Sequence, residues 1–286
     1  MERGRIWTIG SILKWSKQYF EKRGIDTPRL DAEVLLSHVL DVKRIYLYAH
    51  FDQPLDPAEL AAYHEAVKRR AAHEPVAYIV GRRAFMDLTL TITPAVLVPQ
   101  PDTETLVGAV MDRLKGTTGE TVADIGTGSG VIALALLYYL PALRAVASDI
   151  STNALTVARD NADRLGFADR VEFFEGDLVA PLQGRTFDAV VSNPPYIPRT
   201  DFPTLPLEVM AEPRLAIDGG ADGLDFYRRL VVDVPPLLKP NGFLAVEIGM
   251  GQAPAVQALA RDAGWQSTEI VKDLSGIERV VVMRRD

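Results

Sequence analysis

The residues best equipped for chemistry stand in three short clusters. The first is Val122-Ala123-Asp124-Ile125-Gly126-Thr127-Gly128-Ser129-Gly130, an apolar stretch running into three closely spaced glycines. Glycine carries no Cβ, so such a turn lets backbone N–H groups approach a ligand unobstructed. A dinucleotide-binding Gly-x-Gly-x-x-Gly would want glycine or alanine where Val131 stands. Nor is Ser129 a nucleophile elbow, since Gly-x-Ser-x-Gly would need glycine at both 127 and 131. The second cluster is acidic: Asp149-Ile150, about twenty residues past the glycines, and Asp177-Leu178 after Glu175-Gly176. A carboxylate closing a strand can accept both hydroxyls of a ribose, a charge-assisted contact worth roughly 1.5–3 kcal/mol. The third is Ser192-Asn193-Pro194-Pro195-Tyr196-Ile197-Pro198. Two successive prolines fix the backbone and bring no N–H, which leaves the carbonyls of Asn193 and Pro194 open as acceptors. Together with the Asn193 side-chain carbonyl they can receive the two hydrogens of a planar NH2 group. Tyr196 supplies a flat face beside it.

These clusters need elements that bring them together. Beyond about residue 102 short apolar strands alternate with helical segments: Thr121–Ile125, a helix from Val131, 145–149, a helix over Thr152–Leu165, Val171–Glu175, 189–192 and 243–248. That alternation predicts an α/β, doubly wound sheet of parallel strands, with a closing hairpin at 266–271 and 279–283. Asp149, Asp177 and Asn193 then fall at the carboxyl ends of strands, where such sheets bind ligands. The N-terminal part reads as helices. Thr27-Pro28 and Asp56-Pro57 are cap-plus-proline starts. Leu30, Val34, Leu35 and Val39 share one face of the first, and Leu60, Val67 and Ala71 follow in the second. Lys68-Arg69-Arg70 on that second helix is expected to be a solvated face. Leu88, Leu90 and Ile92 alternate with threonines as in a strand, and Pro94, Pro99 and Pro101 punctuate a linker.

Composition narrows the field. Of 286 residues, 48% are apolar and 24% charged, the balance of a globular protein. The longest apolar run, 131–143, is broken by Pro141 and is too short for the ~18 residues of a membrane span. The N-terminus lacks a signal-peptide apolar core, so a cytoplasmic protein without membrane association is expected. Absence of cysteine excludes disulfides, thiolate metal sites and cysteine nucleophiles. His38, His50, His64 and His73 show no close pairing, and no metal site is expected. Residues 1–82 carry 13 basic and 11 acidic side chains, the remainder 18 and 27. An acidic body disfavours phosphate backbones and suits a cationic ligand.

The glycine turn behind Asp124 resembles the first motif of the Rossmann-like methyltransferases that bind S-adenosylmethionine. Asn193-Pro194-Pro195-Tyr196 resembles the motif of methyltransferases that modify a planar amino nitrogen, adenine N6 or the side-chain amide of glutamine. Further segments are similar to the release factor glutamine methyltransferase family (PrmC/HemK): 73–81 (HEPVAYIVG), 98–104 (VPQPDTE), Glu212-Pro213, 219–228 (GGADGLDFYR) and 276–279 (GIER). The resemblance runs nearly end to end. It implies a class I S-adenosylmethionine-dependent methyltransferase domain over 102–286, a small helical substrate-recognition domain over 1–82, and a β-hairpin and proline linker over 83–101.

By the same resemblance, Asp124, Gly126, Thr127, Gly128, Ser129, Gly130, Asp149, Ile150, Asp177, Leu178 and Asn193 would hold S-adenosylmethionine, with Asp177 toward the adenine amino group. Asn193, Pro194, Pro195 and Tyr196 would be catalytic. The implied substrate is the glutamine of the Gly-Gly-Gln tripeptide in bacterial class I peptide chain release factors, with S-adenosylhomocysteine as by-product and no sequence-specific nucleic-acid binding. Two positions depart from the family pattern: Gln100, where arginine is usual, and Leu178, where some members carry an aromatic ring. The glycines between 219 and 223 read as an ordinary glycine-rich turn or as a mobile cover over the substrate groove. An adenine N6 methyltransferase acting on a flipped base, and a non-catalytic cofactor-binding module, are the alternatives.

Overall fold

A computed structural model describes residues 6–116 and 119–285. The chain divides into two compact units. One takes residues up to Gly81 together with Pro206–Ala211; the other takes Arg82–Leu205 and the residues from Glu212 onward. A contiguous division at residue 82 therefore omits one short segment that returns to the first unit.

The first unit is built from α1 (Ile9–Glu21), α2 (Pro28–Val39), α3 (Arg44–Ala49), α4 (Pro57–Ala71) and α5 (Val76–Val80). Reciprocal caps start two of them: Thr8 with Ser11 on α1, and Asp56 with Glu59 on α4, where Pro57 takes the first turn. Thr27 does not cap α2 as expected; its hydroxyl donates instead to Asp31 Oδ1 at 2.7 Å. Asp31 is itself buried, aimed at Arg70 Nε 2.7 Å away. That inward carboxylate also sets the helix rotation. Ala32, Leu35 and Leu36 face the core, whereas Leu30, one residue before Asp31, is 42% exposed rather than on the buried face. The expected solvated face at Lys68-Arg69-Arg70 also needs correction, because Arg70 is only 2% exposed and is further ion-paired with Glu208 of the returning segment. Phe20, Tyr63 and Val67 complete this core, each large apolar side chain contributing about 1.5–3 kcal/mol on burial.

The second unit opens with an antiparallel hairpin, β1 (Arg82–Phe85) and β2 (Leu88–Thr91), whose Leu88 and Leu90 point inward. After α6 (Thr103–Leu114) come β3 (Thr121–Ile125), α7 (Val131–Tyr139), β4 (Arg144–Asp149), α8 (Thr152–Leu165), β5 (Val171–Glu175) and β6 (Phe187–Ser192). The chain next makes α9 (Leu207–Met210), which belongs to the first unit, then α10 (Arg214–Ile217) and α11 (Asp225–Asp233). It ends with β7 (Leu238–Glu247), α12 (Ala253–Asp262), β8 (Ser267–Lys272) and β9 (Glu278–Arg284).

The strands form one seven-stranded sheet in the order β5-β4-β3-β6-β7-β9-β8. The five strands β5 to β7 run parallel, and β9 and β8 close the sheet as an antiparallel hairpin. From β3 the chain winds outward to β5, then returns to β6 on the other side of β3. The topological switch point therefore lies between β3 and β6, where open α/β sheets leave a crevice at their carboxyl edge. Among the described residues no helix is long and apolar enough to cross a membrane.

Candidate active site

Register decides what meets at that crevice. Ile125, last in β3, pairs with Ser192, last in β6, and Ser192 Oγ donates to the Ile125 carbonyl at 2.7 Å. The glycine turn and the Asn-Pro-Pro-Tyr loop consequently leave the sheet side by side. A cleft of about 340 Å³ opens there. Its walls include Gly126, Thr127, Gly128, Ser129, Asp149, Ile150, Asp177, Leu178, Asn193, Pro194 and Pro195. Asp124, Gly130 and Tyr196, the remaining expected site residues, do not line it.

The turn is shaped for close approach. Gly126 and Gly128 have φ of +71° and +57°, and a Cβ at either would meet nothing within 4 Å. Its far side is braced. The Gly126 and Thr127 amides donate to the Ser148 carbonyl at 2.8 and 3.0 Å, and Gly128 N–H donates to Asp149 Oδ2 at 2.9 Å. Asp149 Oδ1 accepts from Ser151 N–H at 2.9 Å. Thr127 turns its hydroxyl inward to Asp124 Oδ2, 2.7 Å away, and Ala133 N–H donates to the same oxygen at 3.2 Å. Burial pushes the Asp124 carboxyl up to about 6, against the pull of those two donors. Asp124 Oδ1 and Ser129 Oγ are buried without a hydrogen-bond partner among the described residues. Orphaned acceptors beside an open glycine cradle suit a polar, cationic ligand.

After β5, beside Asp149's strand, Asp177 Oδ2 pairs with Arg229 at 2.7 Å, so this carboxylate is already engaged by a cation. Leu178 holds a left-handed φ of +48°, and its carbonyl accepts from Ser148 Oγ at 3.2 Å. Gln100 lines the cleft and folds its amide back onto the Val98 carbonyl at 3.1 Å.

The Asn-Pro-Pro-Tyr loop is pinned from beneath. Gln252 Nε2 donates to the Tyr196 carbonyl at 3.0 Å, and Gly219 N–H donates to the Ile197 carbonyl at 2.9 Å. A Cβ on Gly219 would lie 2.7 Å from the Tyr196 carbonyl carbon, and one on Gly223 2.4 Å from its oxygen. Gly219 and Gly223 thus lie directly against the Tyr196 backbone and form a bed for the loop. Tyr196 is drawn toward the core; burial pushes its hydroxyl up to about 12, which keeps it neutral.

Several participants were absent from the sequence-based list. Asn161, fully buried on α8, donates to the Ser129 and Thr91 carbonyls, both at 3.0 Å, tying the glycine turn to the hairpin. Thr103, at the start of α6, accepts from Asn193 Nδ2 at 3.2 Å. Glu247, last in β7 and 2% exposed, faces both. Burial pushes its carboxyl up to about 7, against the pull of the nearby Thr103 and Asn193 side chains. Asn161 lay in an unremarkable helical stretch, but Thr103 sits in the 98–104 segment already singled out.

A parallel sheet wound in this order, with its cleft at the β3–β6 switch point, is the fold of the Rossmann-like, class I methyltransferases. Residues 11–81 match the family described as PrmC N-terminal domain, and residues 102–208 that described as Methyltransferase small domain. The release factor glutamine methyltransferase of Moorella thermoacetica is 48% identical over 92% of this chain and 93% of its own. That of Geobacter sulfurreducens is 45% identical over 98% of each. In fold alone, the chain is similar to the hMettl16 catalytic domain solved with a MAT2A 3′UTR hairpin, with a TM-score of 0.57 at 16% identity over 81% of this chain and 83% of that one. The chain belongs to the release factor glutamine methyltransferase family.

Proposed function

We propose that this chain transfers a methyl group from S-adenosylmethionine to the side-chain amide nitrogen, N5, of the glutamine in the Gly-Gly-Gln motif of bacterial class I peptide chain release factors, in support of translation termination. The observation that carries this reading is the pairing of Ile125 with Ser192, which sets Asn193 beside the glycine turn at one cleft. Gly126, Gly128 and Asp149 would hold the cofactor's nucleoside and tail, with Asp124 and Ser129 supplying the polar floor beneath. When bound, S-adenosylmethionine supplies a methyl group made electrophilic by its sulfonium charge.

The task left to the protein is the nucleophile. An amide nitrogen attacks poorly because its lone pair is delocalised into the carbonyl. Asn193 Oδ1 and the Pro194 carbonyl each accept one N–H of the substrate amide, which turns the nitrogen into line and replaces a costly orientational search. The same acceptors stabilise positive charge as it develops on that nitrogen. The excess proton leaves to water after transfer. Tyr196, neutral and packed against the core, braces the loop in this scheme and is not a base.

Incubation with labelled methyl donor and release factor tests the reading. Label should enter the intact release factor and not a variant whose tripeptide glutamine is alanine. Equal labelling of both, or preferential labelling of duplex DNA, would overturn it.

A further inference from the structure

Asp177 lines the cleft with its carboxylate already held by Arg229, although the amino group of a nucleobase would need one of the same two oxygens. We propose that Arg229, on α11, is the positioning residue that fixes Asp177 with one oxygen bound and the other left to accept the amino group of the cofactor's base. The inference rests on the function proposed above.

The order of strands says where the base would fall. Along the carboxyl edge of the sheet, β6 leads to Asn193, β3 to the glycine turn, β4 ends in Asp149 and β5 leads to Gly176-Asp177-Leu178. Neighbouring strands lie roughly 4.8 Å apart, so these are successive steps along one cleft. With the methyl end at Asn193 and the ribose at Asp149, the base falls to the β5 end. The backbone there is settled on both sides of Asp177. Gly176 N–H donates to the Asp149 carbonyl at 3.0 Å, Ala180 N–H to the Asp177 carbonyl at 3.1 Å, and Ser148 Oγ to the Leu178 carbonyl at 3.2 Å. A Cβ on Gly176 would meet Pro181 Cδ at 2.8 Å. What the loop leaves open is the direction of the half-exposed Asp177 carboxylate.

Arg229 supplies that missing constraint. Its Nη2 donates to Asp177 Oδ2 at 2.7 Å, whereas Asp177 Oδ1 has no hydrogen-bond donor among the described residues. The helix does not force this reach. Arg228, next in the chain, pairs with Asp222 and Asp225 of its own segment. Arg229 also has a local carboxylate, Asp233 one turn further along α11, yet it crosses to Asp177. A half-exposed ion pair adds little to folding, so stability alone does not account for the choice. Phe226, three residues before Arg229 and so on the same helix face, lines the same cleft. Its half-buried ring offers the cleft a flat face that Leu178 does not. An ionised carboxylate accepts only, so the free Oδ1 takes a donor such as a base amino group, and a base without one gains nothing there.

Binding calorimetry on the full chain decides the matter. The probes are S-adenosylhomocysteine and its 6-deamino analogue, which carries hydrogen in place of the amino group. The wild type should bind the first about tenfold or more tightly than the second. Arg229→Met keeps an unbranched stem and removes the cation. It should lower that preference by about threefold to tenfold, with a melting temperature close to that of the wild type. Asp177→Ala should remove the preference, and adding Arg229→Met to it should change the preference no further, since the arginine acts through the aspartate. A wild type without preference, an unchanged preference in Arg229→Met, an equal loss of affinity for both probes, or a further change in the double variant overturns the positioning role. If the preferences behave as expected but no release factor is methylated, the function proposed above fails and the positioning role stands. A wild type that binds neither probe overturns both.

Discussion

Asn193 is tethered through its Nδ2 to Thr103, and under the proposed clamp its substitutions should separate chemistry from binding. Asn193→Ala removes one of the two acceptors that the proposed mechanism sets against the charge developing on nitrogen. Its kcat should fall about 10²-fold or more, while cofactor binding, read by calorimetry, largely survives. Near-normal turnover in that variant would remove the carbonyl clamp from consideration. Two buried acids also give the stability of the ligand-free protein a defined pH dependence. Asp124 and Glu247 are raised to about 6 and about 7 from ordinary values of 3.8 and 4.5. Between the ordinary and raised values the folded chain holds protons that the unfolded chain has released. Stability therefore falls as pH rises from about 4 to about 7 through these groups. Urea titrations at pH 5 and pH 7.5 should show the decline, and Asp124→Asn with Glu247→Gln should remove most of it. A wild-type midpoint that climbs across this range would show other groups to dominate.

At the level of elements, the clamp depends on a bed of glycine beneath the loop. Gly223→Ala drives a methyl group to 2.4 Å from the Tyr196 oxygen, at a φ of +77°. The loop must shift, at a cost of about 1–3 kcal/mol and with loss of kcat. Gly166→Ala, at a φ of +76° with nothing within 4 Å, carries only the conformational strain of about 1–2 kcal/mol. Paired melting and activity curves for the two variants would distinguish a bed from an ordinary turn; equal activities would dismiss it. The same pair illustrates what sequence conveys. The strand at Thr121–Ile125 and the helix at Thr152–Leu165 were legible to the residue because hydrophobic period and flanking turns agree there. The fold class followed from their alternation. Contacts between distant segments were not legible: Gly219 and Gly223 read as flexibility until the Tyr196 backbone appears against them. Leu30 read as a core residue because periodicity cannot anticipate that Asp31 must turn inward to meet Arg70. Glu247 fell inside the apolar strand expected over 243–248, since nothing local announces that its carboxyl is buried there beside residues from distant segments.

Across the molecule, the chain divides into two units that are not divided in sequence. Arg70 holds Asp31 inside the first unit and reaches Glu208, which arrives there on the short returning segment. Arg70→Ala leaves Asp31 buried without its cation, a change that should cost about 3–5 kcal/mol in that unit. Calorimetry should show one part of the unfolding profile move down, while in a Trp7→Phe, Trp15→Phe background the remaining Trp265, buried in the second unit's core, reports an unchanged transition by fluorescence. Coincident shifts of both would mean that the units unfold as one.

The separation of 138 positions from Arg70 to Glu208 also sets a schedule for the nascent chain. At about 5–20 residues per second, translation takes roughly 7–28 s to deliver the second partner after the first. Throughout that interval the emerging helices carry a guanidinium that has Asp31 beside it but whose outer carboxylate has not yet been made. A graft that moves residues 1–82 alone onto another enzyme would transplant an arginine without its second counterion; a faithful cassette must bring Pro206–Ala211 with it.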